Sequence, residues 1–178
     1  MSQEKAGVLR IFNFLQVEKI ALFLGLAFVF PFLFHLAPWP FPTPIGSVWI
    51  PMFYAPLLGV LFSRLHVSLL VAVGAPYLNY FLFGRPTLEM VPVLTLELLV
   101  FSLVAKFVDL SSKYFWLAVP AAFLSAKLAS SLIFKAVSAG TFSGGFSYFS
   151  NSSLIAVPGL LVLIAIYFLA FLAGGKQN

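Results

Sequence analysis

Apolar residues run along this chain in long blocks, parted by short polar or proline-rich breaks, with no two-residue alternation within them. Blocks of that length predict membrane-crossing helices rather than the strands of a barrel. Six spans fit, at about 20–37, 47–63, 67–84, 86–108, 114–135 and 153–173. The expected fold class is therefore an all-α integral membrane protein in which residues 1–178 form one membrane domain. About 1–19 form an N-terminal cytoplasmic or interfacial segment, in which Arg10, Asn13 and Gln16 share one helical stripe. The first block is longer than a signal-peptide core, and the proline-rich "APWPFPTP" follows it instead of a small-residue cleavage site, so it reads as retained.

Composition strengthens this picture. The chain is 62% hydrophobic and 8% charged, and its mean hydropathy of +1.07 excludes an ordinary soluble domain. The net charge of +5 is spread over short breaks, which suits membrane topology better than nucleic-acid binding. Lys5, Arg10, Lys19, Arg64, Lys106, Lys113 and Lys176 fall on one side of the six-span scheme, and only Arg85 and Lys135 at ends on the other. The positive-inside rule then places both termini in the cytoplasm. Cysteine is absent, which excludes disulfides and thiolate chemistry. Pro31, Pro51, Pro56, Pro76, Pro92, Pro120 and Pro158 lie inside the expected spans. They predict kinks in an irregular bundle or, more pointedly, half-broken helices beside a cavity.

Candidate chemistry lies in the few polar residues at membrane depth. Pro86 suits a first helical position, which puts Glu89 in a first turn, where the helix dipole favours a carboxylate. Glu97 lies about 16 Å deeper than that helix start at 1.5 Å per residue. Lys127, on the returning fifth span, reaches a depth of about 13 Å from its outer end. Opposite charges at similar depth on antiparallel neighbours must pair or face a polar cavity, because an isolated charge in hydrocarbon is costly. The pair can fix helix packing, or it can face a solute. His35, Asn79 and Tyr80 fall at the same outer half and outline an outward pocket. Two outer loops, "APWPFPTPIGSVW" with Trp39 and the Gly/Ser-rich "SAGTFSGGFSYFSNSS", add aromatic faces suited either to an interfacial belt or to a lid. There is no P-loop, HExxH, GxSxG elbow or His pair at ligand spacing, so neither a cofactor nor a metal is expected. Any nucleotide hydrolysis would belong to partner chains.

These segments resemble the S component, the substrate-binding membrane subunit, of energy-coupling-factor (ECF) vitamin transporters. "PYLNYFLFGRPTLEMVPVLTLELLVFSLVAKF" is similar to the family's Gly-x-Pro turn, its Met and Pro approach, and its intramembrane Glu-Leu pair, here Glu97 and Leu98. It departs from the family at "VFSLVAK", where Ser102 and Ala105 replace glycine-rich positions. "SLIAVPGLLVLIAIYFLAFL" resembles the family's closing helix, with Pro158 and Gly159 as its opening, and Lys127 in "SAKLAS" matches a basic position. Ala21 and Gly25 in "ALFLGLA" match the small residues that dock on the coupling subunit.

The resemblance implies a six-helix bundle in a prokaryotic inner membrane that captures a micronutrient in an outward pocket. Release inside would be driven by a transmembrane coupling subunit and two ATP-binding subunits, so the chain itself is not expected to be an enzyme. Glu97, Lys127, Asn79, Tyr80, His35 and Trp39 are the expected substrate-binding residues. Two other readings compete. A structural or assembly protein of the cell envelope would not need matched buried charges. A membrane enzyme on lipid substrates would want more carboxylates or histidines than His66 and Asp109 at the cytoplasmic side.

Overall fold

The computed structural model describes the backbone of residues 2–36, 38–109, 117–137 and 142–173, and the side chains of 16–36, 38–108, 117–132 and 147–173. Among these residues there is no strand. The elements are α1 (Ser2–Leu36), α2 (Ile45–Trp49), a 3-10 turn (Pro51–Phe53), α3 (Tyr54–Phe62), α4 (Leu65–Phe83), α5 (Met90–Asp109), α6 (Ala118–Val137), α7 (Phe142–Ile155) and α8 (Val157–Leu172).

Three described helical stretches are long and apolar enough to cross a membrane: Gln16–Leu36, Leu65–Phe83 and Met90–Val108. The paired α7 and α8, bent by 59° at their junction, can supply a fourth. The expected second span is broken into α2, the 3-10 turn and α3, and the apolar part of α6 over Ala118–Leu132 is shorter than a full crossing. At 35 residues, α1 is about 52 Å long. This exceeds the roughly 30 Å hydrocarbon core, so one helix contains both the first span and the segment ahead of it. The side chains of the Arg10 and Asn13 stripe lie outside the described residues.

Small residues share the interior with the buried rings of Phe53, Phe101 and Phe123, while many large apolar side chains face outward. Ala27, Ala55, Ala72, Ala75, Ala122 and Ala126 are wholly buried, while Leu22, Leu70, Phe81, Phe107, Leu132 and Leu161 are exposed. Lipid tails are as apolar as leucine, so burial of large side chains gives little drive between helices. Small interior residues instead let backbones approach and pack. A close α3–α4 approach shows this, since a Cβ on Gly59 would lie 3.1 Å from Ser68 Cα. The centre of the bundle is α3, which contacts α1, α4, α5 and α8, while α5 and α6 form the most extensive pair.

The prolines mostly begin helices instead of bending them. Pro51 opens the 3-10 turn, Pro56, Pro92 and Pro120 fall in the first turns of α3, α5 and α6, and Pro158 is the second residue of α8. In a first turn the missing N–H costs nothing, because that donor has no intrahelical partner anyway. This corrects the expected helix start at Pro86. The chain turns there, Thr87 C=O accepts from the Met90 and Val91 N–H groups, and α5 begins at Met90 with Glu89 exposed just ahead of it. Only Pro31 and Pro76 lie within helix interiors.

Two breaks interrupt the apolar helices, and they touch each other. Ile50, caught between α2 and Pro51, takes the left-handed conformation at φ 43, where a branched side chain is strained. The second break is at Ala156, between α7 and α8. Gly159, one turn into α8, packs so tightly on Trp49 C=O and the Ile50 side chain that a Cβ would collide with both. Glycine is required there by close backbone approach.

Candidate functional site

A cavity of about 1020 Å³ opens at one end of the bundle. Its wall comes from the C-terminal end of α1 (Pro31 to Leu36), residues 44–53, the end of α4 with the turn after it, the start of α5, and α7 (Ser147 to Ile155). The connections that the six-span scheme assigned to the outer side therefore converge on one hollow. Charged and hydrogen-bonding residues of opposite helix ends, such as Arg64, His66 and Lys106, lie away from it.

Glu97 and Lys127 face the cavity, and both are buried. Lys127 Nζ donates to Glu97 Oε1 at 3.0 Å and to Oε2 at 2.8 Å, and Ser130 Oγ donates to Oε1 at 2.7 Å. The Lys127 ammonium also lies 6.0 Å and 5.7 Å from the Phe53 and Phe123 ring centroids, in range for cation–π attraction. Glu97 is seven residues into α5, about 10 Å from the Met90 start, so it is shallower than counting from Pro86 implied. Ser130 went unnoticed in the sequence. Its i+3 spacing from Lys127 was the available sign, since residues three apart share a helix face.

Asn79 also lines the cavity, yet its amide donors serve the fold. Pro31 has no N–H, which frees the Ala27 carbonyl one turn earlier in α1. Asn79 Nδ2 donates to that carbonyl at 3.0 Å and to Ala75 C=O at 2.9 Å, tying α4 to α1. Its Oδ1 is buried with no hydrogen-bond partner among the described residues.

His35 is exposed on the wall, with Nδ1 2.7 Å from Pro31 C=O. A carbonyl only accepts, so Nδ1 is the donor in this contact. Tyr80 and Trp39 stand apart from the wall. Tyr80 packs edge-on against Phe81, and Trp39 donates to Thr43 C=O at 2.7 Å while packing against Phe41. Ala21 and Gly25 lie exposed on α1, with open space around Gly25.

The expected Gly/Ser-rich outer loop is helical from Phe142, and α7 brings Ser147, Tyr148, Asn151 and Ser152 to the cavity. Glycine and serine disfavour helix locally, but packing against α6 prevails. The spacing of Phe142, Phe146 and Phe149, four and then three apart, was the legible sign of that helix. Among the described residues no cluster of His, Asp or Glu could hold a metal ion. No protein-family model matches the chain, and comparison with curated proteins and with solved structures likewise gives no match.

Proposed function

We propose that this protein is the substrate-binding membrane subunit of an ECF-type importer for a vitamin or similar micronutrient. It would reside in a prokaryotic inner membrane with both termini cytoplasmic. In this reading α2–α3 and α7–α8 each serve as one broken crossing, which with α1, α4, α5 and α6 gives six. The observation that carries the proposal is the cavity with a paired Glu97 and Lys127 in its wall, open at the end where three connections meet. A large, mostly apolar hollow with a few convergent polar groups is the usual form of a small-molecule site. The exposed Ala21 and Gly25 give α1 a flat strip on which a coupling subunit can pack closely. ATP hydrolysis belongs to the partner subunits.

Native mass spectrometry of the full chain in mild detergent, after exposure to a vitamin mixture, tests this reading. A bound small molecule that is lost on Glu97→Gln supports it. An empty protein turns the balance to a structural or assembly role in the envelope. The observation favouring that second reading is that Lys127 and Ser130 already satisfy much of Glu97, as a packing element would require. The docking strip has its own test. Ala21→Leu with Gly25→Leu is expected to leave solute binding intact and to abolish uptake in cells supplying the coupling subunit and ATPases; normal uptake removes the docking role.

A further inference from the structure

If the cavity binds a solute, its wall restricts the solute's chemistry, and the following inference rests on that reading. The buried polar groups of the wall are engaged with one another and with the backbone. Both Asn79 N–H groups are committed to the Ala27 and Ala75 carbonyls, which fixes the amide orientation and leaves Oδ1 as an unused, buried acceptor. Among the described residues Glu97 receives hydrogen bonds from Lys127 and Ser130. Asn79 and Glu97 are each 1% exposed, so they are closed to water and to a solute alike, and the rim decides which charge the cavity admits.

The rim has the opposite character. Arg85 follows Gly84, the left-handed cap of α4, and is an exposed part of the wall. Among the described residues it has no ion pair. Glu97 and Lys127 cancel, which leaves Arg85 as the uncompensated charge of the described wall. The chain has five acidic residues, of which Glu4, Glu18 and Asp109 lie in the first half of α1 or at the far end of α5. Glu89 is near the rim but does not line the cavity. A cation would meet Arg85 and find no free carboxylate.

We infer that the solute is an amphipathic anion. Its carboxylate or phosphate is held at the rim by Arg85, and its apolar body lies among Phe32, Met52, Phe53 and Phe83.

The test is retention of metabolites by the full chain in lipid nanodiscs. The protein is incubated with a deproteinised microbial extract, washed and heated, and the released molecules are identified by mass spectrometry. Parallel samples use extract stripped of anions or of cations by ion exchange. The expected result is an acid with an apolar body that survives cation stripping and disappears with anion stripping. Arg85→Gln is expected to lower retention at least tenfold with an unchanged thermal midpoint, and Arg85→Lys to recover part of it. A retained cation or neutral molecule, or an Arg85→Gln variant equal to wild type, overturns the inference and leaves a solute-binding protein. If wild type retains nothing from any extract, solute binding itself fails and the inference falls with it. The mass of the retained species separates carboxylate from phosphate.

Discussion

Two buried polar clusters lie inside this bundle, and they differ in what lies beside them. In the first, where α3, α4 and α5 cross, Ser68 Oγ lies 2.8 Å from Pro56 C=O and 3.0 Å from Ser102 Oγ. A serine has one proton, so Ser68 donates to the carbonyl and Ser102 donates to Ser68. Gly59 lets α3 press against Ser68, and no residue of this cluster lines the cavity. The second cluster joins Glu97, Lys127 and Ser130 beside the cavity, with Asn79 in the same wall. There the charges are paired next to a hollow. Both clusters are buried and polar; what sets the second apart is its place beside a cavity.

The largest contrast should come from breaking the ion pair. Glu97→Gln strands the Lys127 charge and is expected to destabilise the protein by roughly 3–5 kcal/mol. It should also weaken solute binding at least tenfold, about 1.4 kcal/mol or more. Adding Lys127→Met should restore most of the thermal stability without restoring binding. A double variant that regains both would reduce the pair to packing. In the closed cluster, Gly59→Leu forces α3 from α4 and should cost about 1–3 kcal/mol in thermal unfolding, with solute retention unchanged. Gly159→Ala should be felt at both places, since the new methyl meets Trp49 C=O and Ile50, which lines the cavity. Moderate losses of stability and retention together are the expected outcome, and loss of stability alone would detach the α2–α8 contact from the site. The smallest effect belongs to Ser102→Ala, at about 0.5–1.5 kcal/mol, because Ser68 keeps its bond to Pro56 C=O. If Ser102→Ala and Glu97→Gln proved equally costly, the distinction between the clusters would collapse.

The parts of this arrangement legible in the sequence are those encoded locally. A carboxylate and an ammonium in long apolar blocks had to find partners, and counting residues from the helix ends placed Glu97 and Lys127 near each other before their 2.8 Å contact was known. Helix starts were harder to read, because Pro86 and Pro92 both suit a first turn and only the turn at Thr87 selects the second. The α7 helix was hidden by its glycines and serines, whose weak propensity is outweighed by contact with α6. Asn79 was singled out for its depth, yet its use as a donor for the carbonyl freed by Pro31 depends on how α1 and α4 are juxtaposed.

By itself, then, the sequence determined a helical chain with segments apolar enough to cross a membrane and two charges within them that need partners, since hydropathy and the cost of an unpaired charge act at every position. Tertiary structure alone decided where the apolar helices break, which polar groups are spent on holding helices together, and which of them lie beside an open cavity. Those outcomes depend on backbone approach at Gly59 and Gly159 and on hydrogen bonds such as Asn79 to Ala27, between residues far apart in the chain.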